Sequence, residues 1–241
     1  MATELRLSEA PTGLYLIEAG LATSGQLDLL DEELCEPQAT FDNRRPLDAQ
    51  RLRSMEAVDA YGTWLYVLVR LLKPQVVLET GVQNGCSTEL ILWAIRRNGA
   101  GRLYSIDSGP TSSDGSHATA WHQTQDGIPG KGILHGLRPY WDLTVGLARE
   151  YLLTLCHRVR TVDLFWHDSD HSAENVRFEF STVKEYIRPG GLLSLHDFQD
   201  QPVGLDEPAY RLIVPQQNPY LRVWQKVREV DCGKNIPKGI Y

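Results

Sequence analysis

Residues 75–87 read QVVLETGVQNGCS, a short run of β-branched apolar residues that passes directly into a turn with two glycines. Gln75–Glu79 has the make-up of a buried strand. Gly81 permits a tight turn and close approach to the backbone. Gly85 and Ser87 open a helix whose first N–H groups have no partner within it. The spacing is E-x-G-x-x-x-G-x-S, with Gln83 and Cys86 at positions the dinucleotide fingerprint G-x-G-x-x-G reserves for glycine. The spacing therefore argues against a dinucleotide pyrophosphate, and leaves a nicotinamide oxidoreductase as a distant alternative. Alone, the turn also suits a strand-to-helix connection that binds nothing.

On either side, apolar strands alternate with helical stretches. Towards the N-terminus, Leu47–Leu72 carries Leu52, Met55, Val58, Tyr61, Leu65, Leu68 and Leu71 at three- and four-residue steps, an amphipathic helix ended by Pro74. Towards the C-terminus come a helix over Thr88–Arg97 and strands at Leu103–Ile106, Leu143–Val145 and Val162–Trp166. A helix capped by Ser172 then runs to about Ile187, where Pro189-Gly190-Gly191 stops it, before a fifth strand at Leu192–Leu195. This order predicts an α/β fold, doubly wound, with a mostly parallel sheet covered on both faces. The tail segments Tyr220–Val230 and Lys238–Tyr241 read as an antiparallel pair of strands. The second runs to the last residue and points to further chain beyond it. Residues 1–72, with short helices broken by Pro11, Gly20 and Pro37, form an expected N-terminal helical cap on a core of 73–241. Residues 108–141 show no period, and a loop of that length is usually functional.

Ligands of open α/β sheets bind outside the carboxyl ends of the strands. Three strand ends there carry chemistry. Glu79 can accept hydrogen bonds from a ligand amine or ribose. Asp107 closes the second strand, where a carboxylate can accept both ribose hydroxyls. The fourth and fifth strands end in WHDSDH (166–171) and LHDF (195–198), which places Asp168 and Asp197 side by side on neighbouring strands about 4.8 Å apart. Two such carboxylates repel unless a proton or cation lies between them. An all-oxygen set favours Mg²⁺, whereas an imidazole from His196 or His171 admits Mn²⁺, Fe²⁺ or Zn²⁺. His171, three residues beyond Asp168, has the ordinary pKa of a general base. Asp170 and Ser172 read as helix caps, and His167, alternating away from Asp168, as a packed histidine.

The chain has 241 residues, 42% hydrophobic and 23% charged, with formal charge −7. Its basic residues are scattered, which argues against nucleic acid as a partner. No run is long enough for a membrane span, and MATELRLSEAPTG lacks the layout of a secretory signal. Cys35, Cys86, Cys156 and Cys232 are far apart and fit reduced thiols. These features together predict a cytoplasmic protein.

The motifs VVLETGVQNGCST, LYSIDSG, VDLFWHDSDHSAENVRFEF and IRPGGLLSLHDF resemble those of class I S-adenosylmethionine-dependent methyltransferases. Within these they are similar to the branch of macrocin-type sugar O-methyltransferases and cephalosporin-hydroxylase-like proteins. The resemblance spans about residues 75–200. It implies a Rossmann-like seven-stranded sheet in the order 3-2-1-4-5-7-6, with the last strand antiparallel. It also implies that Glu79, Gly81, Gly85 and Ser87 line the methionine end of the cofactor, that Asp107 holds its ribose, and that Asp168 lies against it. Asp168, His196 and Asp197 fall where metal-dependent members hold Mg²⁺ or another divalent cation. His171 falls where they carry a proposed base, with Asp168 beside it in catalysis. A sulfonium cofactor has no phosphate to cradle, in keeping with the looser glycine spacing.

The chain departs from the pattern at three places. Ser169 replaces the usual glycine, His196 stands where a carboxylate is usual, and Gly146-Leu147-Ala148 lacks the polar residues that often contact adenine. The expected activity is O-methylation of a small-molecule hydroxyl, on a sugar or natural-product intermediate. Metal-independent transfer and a non-catalytic cofactor-binding scaffold are the alternatives. Trp121, His122, His135, Tyr140 and Trp141 are groups suited to a sugar pocket, and cap helices of this kind often mediate homo-oligomers.

Overall fold

The computed structural model describes residues 6–35, 61–109, 128–133, 135–197, 205, 209–214 and 221–227. Among the described residues, three N-terminal helices, α1 (Pro11–Glu18), α2 (Ser24–Cys35) and α3 (Tyr61–Leu72), precede β1 (Val76–Thr80), α4 (Cys86–Asn98) and β2 (Arg102–Asp107). A 3-10 turn over His135–Tyr140 leads into β3 (Trp141–Val145). Then follow α5 (Ala148–Val159), β4 (Val162–His167), α6 (Ala173–Val183), β5 (Ile187–His196), β6 (Tyr210–Val214) and β7 (Leu221–Lys226). The seven strands pair in the order β3-β2-β1-β4-β5-β7-β6. Strands β1 to β5 pair with one another in parallel, and β7 runs antiparallel to both β5 and β6. This is the expected doubly wound α/β fold.

Alternation along each strand sends side chains to two separate cores. Val77, Leu164, Trp166 and Leu192 join Leu16, Leu27, Trp64 and Ile91 of the helices on one face. Leu78, Phe165, Leu193 and Leu195 join Leu152, Val176 and Phe180 on the other. All six residues of β4 are buried, the near-continuous run expected of a central strand covered on both sides. The N-terminal helices thus pack into the first core beside α4. Glu33 of α2 receives both Nε and Nη2 of Arg70 of α3, at 2.8 and 2.7 Å, and the Tyr66 hydroxyl. No helix among the described residues is long and apolar enough to cross a membrane.

Three sequence expectations are revised. The helix capped by Ser172 ends at Val183, and Pro189-Gly190-Gly191 lies within β5 rather than stopping a helix. The glycines serve a register shift between Val162 and Leu164, where a Cβ on Gly191 would stand 3.0 Å from the Asp163 carbonyl oxygen. The partner of β7 is Tyr210–Val214, and Lys238–Tyr241 lies outside the described residues. A five-residue strand of this kind takes its identity from the strand it pairs with. Helix α5 was not anticipated, although Leu152, Leu155, Cys156 and Val159 carry a helical period. Of the long helix expected over Leu47–Leu72, Tyr61–Leu72 is helical and the rest lies outside the described residues.

Candidate active site

The glycine turn is tied to the tips of three strands. The N–H groups of Val82 and Gln83 donate to Asp107 Oδ2 at 2.7 and 2.9 Å, and Gly109 N–H donates to Oδ1 at 2.8 Å. Gly81 N–H reaches the Ile106 carbonyl, and Asp168 N–H reaches that of Thr80, both at 2.9 Å. Gly81 (φ 85°) is pressed so closely on β4 that a Cβ there would lie 2.1 Å from the Asp168 carbonyl oxygen. Gly85 (φ 86°) caps α4 beneath Ile133, while Gly130 N–H donates to the Gln83 carbonyl. Residues 128–133 therefore seat on the turn, a contact that no periodicity announced. The indole of Trp141 packs on Gly130 and donates to Ser105. Trp121 and His122 lie outside the described residues.

Glu79 is fully buried beneath this turn. Its carboxylate accepts hydrogen bonds from Ser87 at 2.8 Å, Thr88 at 2.9 Å and Ser105 at 2.7 Å. Glu79 and Ser87, expected from the resemblance to line the methionine end of the cofactor, bond each other and anchor the turn. Burial pushes the Glu79 carboxyl up to about 7, against the three hydroxyl donors that lower it. A raised folded pKa means stability that is fully present below the unfolded pKa and lost as pH rises through the folded one. Melting temperature should accordingly fall through the window from about 4.5 to about 7. Glu79→Gln should flatten that part of a pH series of thermal melts. An equal slope in the variant would remove Glu79 as its source.

At the ends of β4 and β5, Asp168, His171 and His196 each offer one ligand atom, all within 4.8 Å of one another. His196 Nδ1 lies 2.8 Å from Asp168 Oδ1, and its ring stacks on Trp166 at 5.8 Å. His171 Nε2–H donates to the His196 carbonyl at 3.0 Å, and this nitrogen lies 3.9 Å from Asp168 Oδ1. Burial, and then the neighbouring His167, lower the His171 pKa below the ordinary histidine value.

Asp197 is not part of this group. It follows β5 with positive φ (51°), its side chain is 54% exposed, and Oδ1 is 3.5 Å from His196 Nε2. The expected pair of adjacent carboxylates is thus replaced by one carboxylate and two imidazoles. Successive residues at a strand end point to opposite sides, so Asp168 and Asp197 meet only if their registers match. Here His167 pairs with Leu195, which sets His196 opposite Asp168.

Sequence reasoning missed Thr80, Asn175 and Glu179. Glu179 on α6 is fully buried and bonds His167 Nδ1 at 2.7 Å, which fits the reading of His167 as a packed histidine. Burial acts to raise the Glu179 carboxyl, but His167, Thr80 and Ser169 together hold it below the usual carboxylate value. An acidic residue one turn beyond Asn175, on the inward face of a helix, was the available signal. Ser172 caps α6 by accepting Asn175 N–H, and Asp170 accepts the Ser172 N–H.

Residues 78–198, half of the chain, match the family model described as a methyltransferase domain. Among solved structures the fold is similar to the O-methyltransferase NovP, at 16% identity and TM-score 0.52, over 78% of this chain and 84% of that one. It is likewise similar to TomG, an O-methyltransferase from Streptomyces achromogenes, at 18% identity and TM-score 0.50, over 74% and 87%. The calicheamicin methyltransferase CalS11 gives 16% identity and TM-score 0.50, over 90% and 93%. No curated protein sequence matches the chain. A matching family model over a Rossmann-like sheet of the methyltransferase order leaves one conclusion: the chain belongs to the methyltransferase-domain family, as a class I S-adenosylmethionine-dependent methyltransferase.

Proposed function

We propose that the protein is an O-methyltransferase acting on a hydroxyl of a small polyhydroxylated molecule, a sugar or natural-product intermediate. The observation that carries this reading is the meeting of Asp168, His171 and His196 at the carboxyl edge of the sheet, with Asp168 packed on Gly81 of the cofactor turn. Methyl transfer is an in-line displacement, so the enzyme must hold the acceptor oxygen in line with the methyl group and take up its proton. His171 suits that task. Its Nε2–H is given to the His196 carbonyl, which makes Nδ1 the basic nitrogen, and its lowered pKa keeps the ring neutral at pH 7. Bound S-adenosylmethionine would supply the methyl group, its S–CH₃ bond breaking as the O–CH₃ bond forms to give S-adenosylhomocysteine. His171 would take the hydroxyl proton, and the Asp168 carboxylate would stabilise the resulting imidazolium.

For the cofactor, Gly81 and Gly85 shape the turn against which the methionine end would lie, with Glu79 and Ser87 supporting it and Asp168 at its side. Asp107 Oδ1 accepts one N–H and has a second lone pair to offer a ribose hydroxyl. The exposed side chains of Val145, which ends β3, and Leu147 just beyond it offer an apolar surface for a base ring. The natural-product setting is supported by TomG, described as involved in tomaymycin synthesis, and by CalS11. Incubation with methyl-labelled S-adenosylmethionine and a panel of methyl glycosides and catechols should give O-methyl products. Transfer confined to amine or thiol acceptors would overturn the assignment.

A second reading is favoured by the donor geometry. A divalent cation fits Asp168, His171 and His196, and two imidazoles with one carboxylate suit Mn²⁺, Fe²⁺ or Zn²⁺ better than Mg²⁺. When bound, it would lower the pKa of an acceptor hydroxyl, and His171 would then serve as a ligand rather than as the base. On this reading exhaustive chelation lowers turnover at least about tenfold and adding the cation back restores it, an effect of about 1.4 kcal/mol or more on the barrier. Full activity after chelation leaves His171 as the base.

A further inference from the structure

We infer that Glu179 is a positioning residue for methyl transfer, holding Asp168 and His171 in register with the cofactor turn from inside the protein. The inference rests on the proposed roles of Asp168 and His171.

The Glu179 carboxylate is wholly buried and receives four hydrogen bonds. Thr80 Oγ1 at 2.5 Å and His167 Nδ1 at 2.7 Å reach Oε2, while Ser169 Oγ at 2.7 Å and Asn175 Nδ2 at 2.9 Å reach Oε1. That fills the lone-pair positions of a carboxylate. The donors are distributed in a telling way. His167 and Ser169 flank Asp168 in the chain, so Glu179 clamps it from both sides. Thr80 precedes Gly81, so the same carboxylate also holds the tip of β1. Asn175 reaches on to the Asp170 carbonyl at 2.9 Å, bracing the segment that ends in His171. The His167 ring meets the His171 ring edge-on, with centroids 5.3 Å apart.

Space filling alone does not account for a carboxylate here. Burying a charge carries a desolvation penalty, and an apolar side chain of similar volume often serves a core equally well. What the carboxylate adds is direction, with four bonds converging from three segments that must keep their relative places. In-line transfer is sensitive to that placement, since a shift of about 1 Å costs on the order of 100-fold in rate. Ser169 is one of the four donors, and its hydroxyl belongs to the residue next to Asp168.

The test uses the full chain with Glu179→Gln, which puts an amide N–H₂ among four donors, and Ser169→Ala, which removes one bond and leaves the fold. Three quantities are read: histidine side-chain resonances in ¹⁵N-histidine-labelled protein, S-adenosylhomocysteine affinity by calorimetry, and kcat and KM with the best acceptor of the hydroxyl panel. Expected are displaced His171 resonances with loss of its single Nε2–H tautomer, and kcat lower by about 10- to 100-fold in Glu179→Gln. Ser169→Ala should shift both in the same direction by less, with cofactor-product affinity and acceptor KM held. Unchanged His171 resonances in both variants would overturn the inference. So would a parallel loss of kcat, KM and affinity, the mark of general loosening. If the unaltered protein methylates no hydroxyl, the proposed function falls, while the histidine resonances still decide whether Glu179 holds the segment.

Discussion

Asp168→Ala should lower kcat by roughly 10²- to 10⁴-fold, the range that a positioned proton-transfer group contributes, while the protein stays folded. Both histidines of the site are set around this one carboxylate, at 2.8 Å from His196 and 3.9 Å from His171. Without it, an imidazolium formed at His171 loses its counter-charge, and His196 loses the acceptor for its Nδ1–H. On the cation reading the same substitution removes the anionic ligand, so the loss is expected either way. The fold should survive because the Asp168 side chain is 24% exposed and its backbone N–H, which alanine retains, makes the link to Thr80. Circular dichroism with kcat on the hydroxyl panel checks both halves. Turnover within about threefold of the unaltered protein, under 1 kcal/mol of barrier, would remove Asp168 from the chemistry.

Gly81→Ala should have the largest effect on structure. The added Cβ would lie 2.1 Å from the Asp168 carbonyl oxygen, 2.5 Å from its carbon and 2.8 Å from Ser169 N, all backbone atoms that no rotamer change can move aside. The position also holds φ of 85°, which costs a non-glycine residue on the order of 1–3 kcal/mol. Overpacking adds about 1–3 kcal/mol more. Together these are a large fraction of the roughly 5–15 kcal/mol that keeps a domain folded. A strongly lowered melting temperature is expected, with loss of S-adenosylhomocysteine binding as β1 and β4 move apart. Unaltered melting and binding would mean that the two strand tips do not approach this closely in solution.

Both substitutions act where the chain was most legible. Gly81 and Gly85 could be recognised because a turn at this place requires positive φ, which glycine adopts without strain. Asp107 and Asp168 could be placed at the carboxyl edge of the sheet because each ends an apolar strand run. The role of Asp107 in holding the turn was less accessible, since its partners are backbone N–H groups that any residues would supply. Glu79 was placed correctly in the strand, but its hydrogen-bond partners were not foreseen. The three hydroxyls that bury its carboxylate come from two further elements, 8, 9 and 26 residues away.

What local chemistry encodes is therefore the frame: apolar runs of strand length, the glycine turn, the Ser172 cap and, with them, a doubly wound sheet. These depend on backbone dihedrals, periodicity and short-range hydrogen bonds, all of which act within a few residues. Which side chains meet in the candidate cluster depends on long-range pairing. The register of β5 on β4 puts His196 opposite Asp168, and the positive φ at Asp197 turns the second carboxylate out to solvent, so His171 completes the cluster instead. Glu179 joins Thr80 across 99 residues of chain, a contact that exists only after α6 has packed on the sheet. A one-residue change of register reverses which side chains face each other, and no pattern along the chain carries that information.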